Sequence, residues 1–252
     1  MHYCGNVHLD VDIYPVWDKQ RGRGPKRRPT SEVQVKLNQK NAERELARIL
    51  DTNFTQSDLR FDLTYNDKHL PSDDDEALRD AANFLRRVKY LRRKLCLPEL
   101  KCVIVTAVGV KSGRYHHHIV MSGGLSIEQL SGLWRPRGFT TLKPLELDDN
   151  GFVGIANYFA RQNSVGKRWR TTRNLARPTI QKRDGKISAK RVTEWAFSGY
   201  DCHEAIERQY PGYRLVSSEA LLNEVNCGVY LSLHLVRDRS FDKRVKGKNK
   251  RC

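Results

Sequence analysis

The sequence contains no run approaching 18 apolar residues, so nothing in it reads as a membrane-spanning helix. Its start, MHYCGNVHLD, lacks the charged-then-apolar pattern of a signal peptide. The six cysteines are scattered, and none stands in the Cys-x-x-Cys pair that a zinc ribbon or a redox centre needs; free thiols in a reducing compartment are the expectation. No Walker A pattern is present, which argues against a nucleotide cofactor and an ATP-driven helicase module. Acidic residues are scarce: 29 Asp+Glu face 46 Lys+Arg, a formal charge of +17 over 252 residues. These absences lead to an expected folded, cytoplasmic protein that has no membrane partner and seeks a polyanion.

The positive charge is grouped. Four stretches are almost purely basic: Lys19 to Arg28, Arg86 to Lys94, Arg161 to Arg191 and Lys243 to Arg251. The third holds eleven Lys+Arg against one acid, Asp184, and contains Trp169. Cations interleaved with an aromatic suit a phosphate backbone carrying stacked bases.

Residues 1–30, rich in Gly, Pro and charge, are expected to be a basic arm, and 31–58 a helical preface capped by Thr30 or Ser31, with Val35, Ala42, Leu46, Ile49 and Leu50 as its stripe. From Leu59 to Asn66 apolar and polar residues alternate, the period of a half-buried strand. Ser72 is the expected cap of the next helix, with Asp75 as its capping-box partner and Leu78, Ala81, Ala82, Leu85, Val88, Leu91 and Leu95 as its buried stripe. LKCVIVTAVGV and RYHHHIVM read as a hairpin, SIEQLSGLW as a short helix, GFTTLKPLEL as a strand and NGFVGIANYFARQ as a helix. The order β-α-β-β-α-β-α predicts an α+β, ferredoxin-like antiparallel sheet with helices on one face, spanning 59–165. Residues 166–235 are expected to be a basic extension completing that domain, and 236–252 a basic tail.

Two short motifs carry chemistry. In Tyr115-His116-His117-His118-Ile119, strand alternation sends His116 and His118 to one face, where two imidazoles can share a divalent ion, and His117 to the other. In Asn157-Tyr158-Phe159-Ala160-Arg161, helical spacing puts Tyr158 and Arg161 on one face, a phenol nucleophile beside a guanidinium that stabilises an anion.

Together with Leu63-Thr64-Tyr65-Asn66-Asp67, these motifs make the chain resemble the rolling-circle replication-associated proteins of plasmids and phages, in the HUH endonuclease superfamily, those with a single catalytic tyrosine. The resemblance covers about residues 30 to 235 and extends to Asn53-Phe54, Gly113-Arg114, Trp169, Thr172-Arg173-Asn174-Leu175 and Pro178. It implies a metal-dependent nickase and ligase of single-stranded DNA at a replication-origin hairpin. His116 and His118 hold Mg²⁺ or Mn²⁺, Tyr158 forms a 5′-phosphotyrosine and frees a 3′-hydroxyl primer, and Arg161 binds the phosphate. Arg114, Lys167, Arg168, Trp169, Arg170 and Arg173 contact DNA, and a host helicase and polymerase are the expected partners. The chain departs from the family pattern at Arg161, where a Lys is usual, and at Ala107, where a third, carboxylate ligand is usual. Water and the substrate phosphate, or a carboxylate from elsewhere in the chain, can complete the site. A catalytically weakened origin- or hairpin-binding protein is the main alternative, and a transposase or relaxase of the same superfamily would carry the same motifs.

Overall fold

The computed structural model describes residues 2–4, 7–16, 32–147, 150–198, 202–223 and 228–238. The expected helix cap at Thr30 or Ser31 and the basic stretches Lys19 to Arg28 and Lys243 to Arg251 lie outside them. The chain is α+β, with two antiparallel five-stranded sheets and six α-helices among the described residues. None of those helices is long and apolar enough to cross a membrane.

It divides into two compact units, at boundaries unlike those expected from the sequence. One comprises 36–148 and 152–177; the other is built from the described residues of 1–35, 149–151 and 178–252. The helix expected as a separate preface thus belongs to the first unit, and the basic extension is split between the two at 177/178.

The first unit runs α1 (Glu32–Asn53), β3 (Leu59–Tyr65), α2 (Asp74–Lys94), β4 (Cys102–Val108), β5 (Tyr115–Met121), α3 (Ile127–Trp134), β6 (Gly138–Pro144), α4 (Val153–Ala160) and β7 (Arg170–Thr171). The numbering leaves β1 (His2–Cys4) and β2 (His8–Ile13) to the other unit. Its strand order, β6-β3-β5-β4-β7, places the first and third strands of the split βαβ pattern at the centre, an arrangement compatible with a ferredoxin-like fold.

Helices cover both faces of this sheet, whereas one face was expected. The reason is legible in β4, which is apolar on both sides. Cys102 and Ile104 join Phe61, Leu63, Phe84, Val88 and Trp134 under α2 and α3. Val103, Val105 and Ala107 join Leu46, Leu50, Phe152 and Phe159 under α1 and α4. Gly138 is required where β6 enters the sheet, because a Cβ there would stand 2.0 Å from the Thr64 carbonyl oxygen.

Helix α2 starts one residue later than expected. Asp73 is its cap and accepts from the Glu76 amide at 2.7 Å, while Ser72 gives its amide and hydroxyl to the Glu76 carboxylate. Of the expected stripe, Ala81 and Val88 are buried and Leu85 and Leu91 pack partly buried against the core, but Ala77 and Phe84 complete it, and Leu95 is exposed. One cation of the Arg86 to Lys94 stretch is structural. Arg92 is 3% exposed and donates to the carbonyls of Pro98, Ser122 and Gly123 at 2.9, 3.2 and 2.7 Å, stitching the end of α2 to two loops.

In the second unit the sheet order is β8-β1-β2-β10-β9, with β8 at Thr179–Gln181, β9 at Tyr213–Asn223 and β10 at Gly228–Arg237. Helices α5 (Ala189–Phe197) and α6 (His203–Gln209) pack Val192, Trp195 and Ile206 onto Leu9, Val11, Leu231, Leu233 and Leu235. The N-terminal residues expected as an arm therefore supply two strands; β10 pairs with β2, and β9 with β10, instead of completing the first sheet. The signal was present: Val7, Leu9, Val11 and Ile13 alternate with His8, Asp10 and Asp12.

Candidate active site

Antiparallel pairing builds the site across the two central strands of the first sheet. Asp62 on β3 stands directly opposite His118 on β5, and Thr64 opposite His116. Because Phe61, Leu63 and Tyr65 bury one face of β3, its neighbours Arg60, Asp62 and Thr64 share the face of His116 and His118. The two imidazoles meet edge to face with ring centroids 4.8 Å apart. His117 goes into the opposite core as expected, hydrogen-bonded to the Tyr65 hydroxyl at 2.8 Å and Thr106 Oγ1 at 3.0 Å. Burial, then the neighbouring His116 and His118, lowers its pKa to about 3, so its ring is neutral.

His118 Nδ1 lies 2.7 Å from Asp62 Oδ1. An ionised carboxylate only accepts, so Nδ1 carries a proton, and in the neutral ring Nε2 presents its lone pair. His116 Nδ1 donates to the Arg114 carbonyl at 3.3 Å, which directs its Nε2 away from that carbonyl, and the Gln162 side chain also hydrogen-bonds the ring. Burial, followed by the charge of His118, lowers the His116 pKa and favours the neutral ring that a metal ligand must have. Burial alone would raise the Asp62 carboxyl, but the hydrogen bond and charge of His118 and the Arg60 guanidinium outweigh it and hold Asp62 below its ordinary value.

Helix α4 brings in Tyr158, the expected nucleophile. Phe159 and Ala156 anchor it in the core, and the adjacent position, Tyr158, is left 41% exposed with its hydroxyl 3.4 Å from His118 Nε2. The Arg60 guanidinium carbon lies 4.6 Å from the centre of the Tyr158 ring, and Arg60 Nη2 is 3.2 Å from Asp62 Oδ2. Arg60 Nε is buried and has no hydrogen-bond partner among the described residues. Arg60 and Asp62 were both missed as site residues: their period-two pattern was visible, but which strand they face was not.

The expected carboxylate position is occupied differently. Ala107 pairs with His116 from β4 and is fully buried under α4. An acid at that point would be desolvated in an apolar cluster. The acid beside the histidines comes instead from β3, as Asp62, on the other flank of the histidine strand, and it touches His118 Nδ1. No group of three or more His, Cys, Asp or Glu side chains placed to hold a metal ion occurs among the described residues. The donor set that fits one is the pair of Nε2 atoms, with Asp62 orienting a ligand, an arrangement common behind metal-bound histidines.

The remaining expected residues do not converge on one surface. Arg161 caps the C-terminus of α4 and is bound to Glu43 of α1, Nε to Oε1 at 2.7 Å and Nη2 to Oε2 at 3.4 Å. Arg168 donates to Gln39 at 2.5 Å, and Gln39 donates in turn to Glu43 and the Ala160 carbonyl. Arg114 braces the end of β3 through Asp67 at 2.6 Å and the Tyr65 carbonyl at 2.8 Å. Trp169 is half-buried against the α1 and α4 cluster, which leaves only part of its ring for stacking. Lys167 is exposed. Arg170 pairs opposite Ile104, on the face of α2, and lines a groove there with Arg173, away from the histidines.

No family model matches the chain, and neither the curated proteins nor the solved structures compared with it give a match.

Proposed function

We propose that the chain is a rolling-circle replication initiator of the HUH endonuclease superfamily, a nicking and joining enzyme for single-stranded DNA at an origin hairpin. The observation that carries this reading is the Tyr158 hydroxyl 3.4 Å from His118 Nε2, on a face shared with His116. An exposed phenol at a two-imidazole site, in a chain of +17 charge, suits attack on a phosphodiester.

Tyr158 Oη gives up its proton to water and attacks the scissile phosphorus, and the bond from phosphorus to the 3′-oxygen breaks. The phosphate becomes a 5′-phosphotyrosine, the 3′-oxygen leaves and takes a proton from water, and reversal of the same exchange rejoins the strand. Arg60 holds the Tyr158 ring by stacking on its face, and its buried, unpartnered Nε is a donor for a phosphate oxygen. Asp62 fixes the His118 ring. His116 and His118 would hold Mg²⁺ or Mn²⁺ through their Nε2 atoms, imidazole favouring Mn²⁺. A divalent ion there supplies positive charge that offsets the charge developing on the phosphate oxygens.

A second reading is favoured by the same contact. With Nε2 free, His118 can accept the Tyr158 proton while Asp62 steadies the imidazolium, the logic of a nucleophile, base and orienting acid. One nitrogen cannot serve both roles at once, so metal dependence separates the readings. The test is incubation of the full chain with labelled single-stranded oligonucleotides from its own replicon, with Mn²⁺ or with EDTA, scored for a denaturation-resistant protein–DNA adduct. An adduct only with metal supports the first reading, and an EDTA-resistant adduct the second. Tight binding without adduct under either condition sinks both and leaves a hairpin-binding protein.

A further inference from the structure

The second unit contains a cavity of about 680 Å³ to which the proposed nicking reaction assigns nothing. Its volume lies within the range of small-molecule sites, about 300–1,000 Å³. The floor is apolar, from Val11 and Ile13 of β2, and the rings of His2, Tyr14 and Tyr210 line it. The wall is the turn after β8, Lys182-Arg183-Asp184-Gly185-Lys186, whose backbone reverses at Gly185 with φ +66°. Three cations of that turn face two acids, Asp12 and Asp184, and Asp12 is engaged by the Ser232 hydroxyl.

A second, independent feature points to a ligand. Tyr210 is 7% exposed, yet its buried hydroxyl has no hydrogen-bond partner among the described residues. Such a group is costly to leave unsatisfied. Burial raises the Tyr210 pKa to about 12, with the Arg183 charge opposing it, and the same guanidinium acts on His2, whose pKa is lowered chiefly by burial. Arg183 therefore lies within electrostatic reach of both rings. A neutral hydroxyl donor, a guanidinium and two lysines around one opening are complementary to phosphate. Aromatic rings over an apolar floor are complementary to a base.

We propose that this cavity binds a nucleotide, with the phosphate on Arg183, Lys182 and the Tyr210 hydroxyl and the base against the rings. A free nucleotide and one unit of a DNA strand share this chemistry. The site is distinct from the histidine pair and does not depend on the nicking reading.

The test uses the full-length chain carrying Tyr158→Phe, with three probes: dTMP, inorganic phosphate, and a 4-thiothymidine-containing oligothymidylate about 10 nucleotides long. Binding is measured for this parent, for a Lys182→Ala/Arg183→Ala variant and for Tyr210→Phe. The expected result is at least tenfold weaker binding of dTMP, or of the oligonucleotide, in both variants. Saturable dTMP binding that the variants lose supports a free nucleotide. Weak dTMP binding, with an oligonucleotide cross-link mapped to Tyr14 or Tyr210, supports a unit of the strand. Tyr210→Phe keeps the ring and removes an unsatisfied hydroxyl, so its melting temperature should equal or exceed the parent's while its affinity falls. A hydroxyl with no ligand would leave affinity unchanged. Equal affinities in parent and variants overturn the proposal, as does inorganic phosphate binding as tightly as dTMP.

Discussion

The hydroxyl of Tyr158 stands 3.4 Å from Nε2 of His118, and Asp62 holds the opposite ring nitrogen at 2.7 Å. The exposed phenol should be indispensable for covalent chemistry and dispensable for folding. Tyr158→Phe should abolish the protein–DNA adduct while oligonucleotide affinity stays within about twofold, as read by gel and by fluorescence anisotropy. An adduct that persists in the variant would remove Tyr158 from its assigned role.

Asp62→Asn keeps an acceptor for the His118 proton but removes the negative charge behind the ring. Cleavage, or Mn²⁺ affinity by titration calorimetry, should fall about 10- to 100-fold with an unchanged melting temperature. Unaltered activity would show that the Asp62 charge contributes nothing to the site.

Arg60 is both a stacking partner of Tyr158 and a donor with a spare, buried Nε. Arg60→Lys keeps the charge and loses the planar fork, so kcat should drop by about tenfold or more with little change in DNA affinity. Equal losses in Arg60→Lys and Arg60→Ala would support geometry over charge as the cause.

Arg92 tests the structural part of the basic helix. Arg92→Leu leaves three carbonyls without their donor and should cost about 3 kcal/mol in urea unfolding. Arg93→Leu, an exposed neighbour, should cost about 0.5 kcal/mol or less.

The pairing of Glu43 with Arg161 has a pH signature. Burial would raise the Glu43 carboxyl, but hydrogen bonds from Arg161 and Gln39 overcome it and hold the pKa below the ordinary 4.5. A depressed carboxyl contributes stability that is full above its unfolded value and is lost as pH falls through its folded value. Glu43→Gln should therefore melt lower than the parent at neutral pH, with the difference shrinking as pH drops below 4.5. A difference that is constant down to pH 3, about one unit below the usual Asp and Glu range, would rule out an ionic role.

Local chemistry was readable from the chain where neighbours in sequence decide the outcome. The alternation in RYHHHIVM separated His116 and His118 from His117, and the pattern of NGFVGIANYFARQ put Tyr158 on a helix. The expectation failed where desolvation by distant residues decides. The buried stripe of α2 takes in Ala77 and Phe84, which the expected stripe left out, because the sheet selects which helix face is covered. Arg92 looked like one more surface cation, since its three acceptors come from loops up to 31 residues away. Arg170 and Arg173 looked like companions of Tyr158, yet the pairing of β7 with β4 turns Arg170 to the other side of the sheet.

By composition and periodicity, the sequence alone determined a basic α+β chain, a two-histidine face on one strand and a tyrosine on a later helix. Only the tertiary structure decided that Asp62 lies against His118 from across β3, that Arg60 covers the Tyr158 ring, and that residues 8–13 pair with a strand more than 200 residues away. The physical reason is the same in each case. Alternation sets which side chains share a face within a strand, but register and strand order are set by cooperative burial of the whole sheet, which no local pattern encodes.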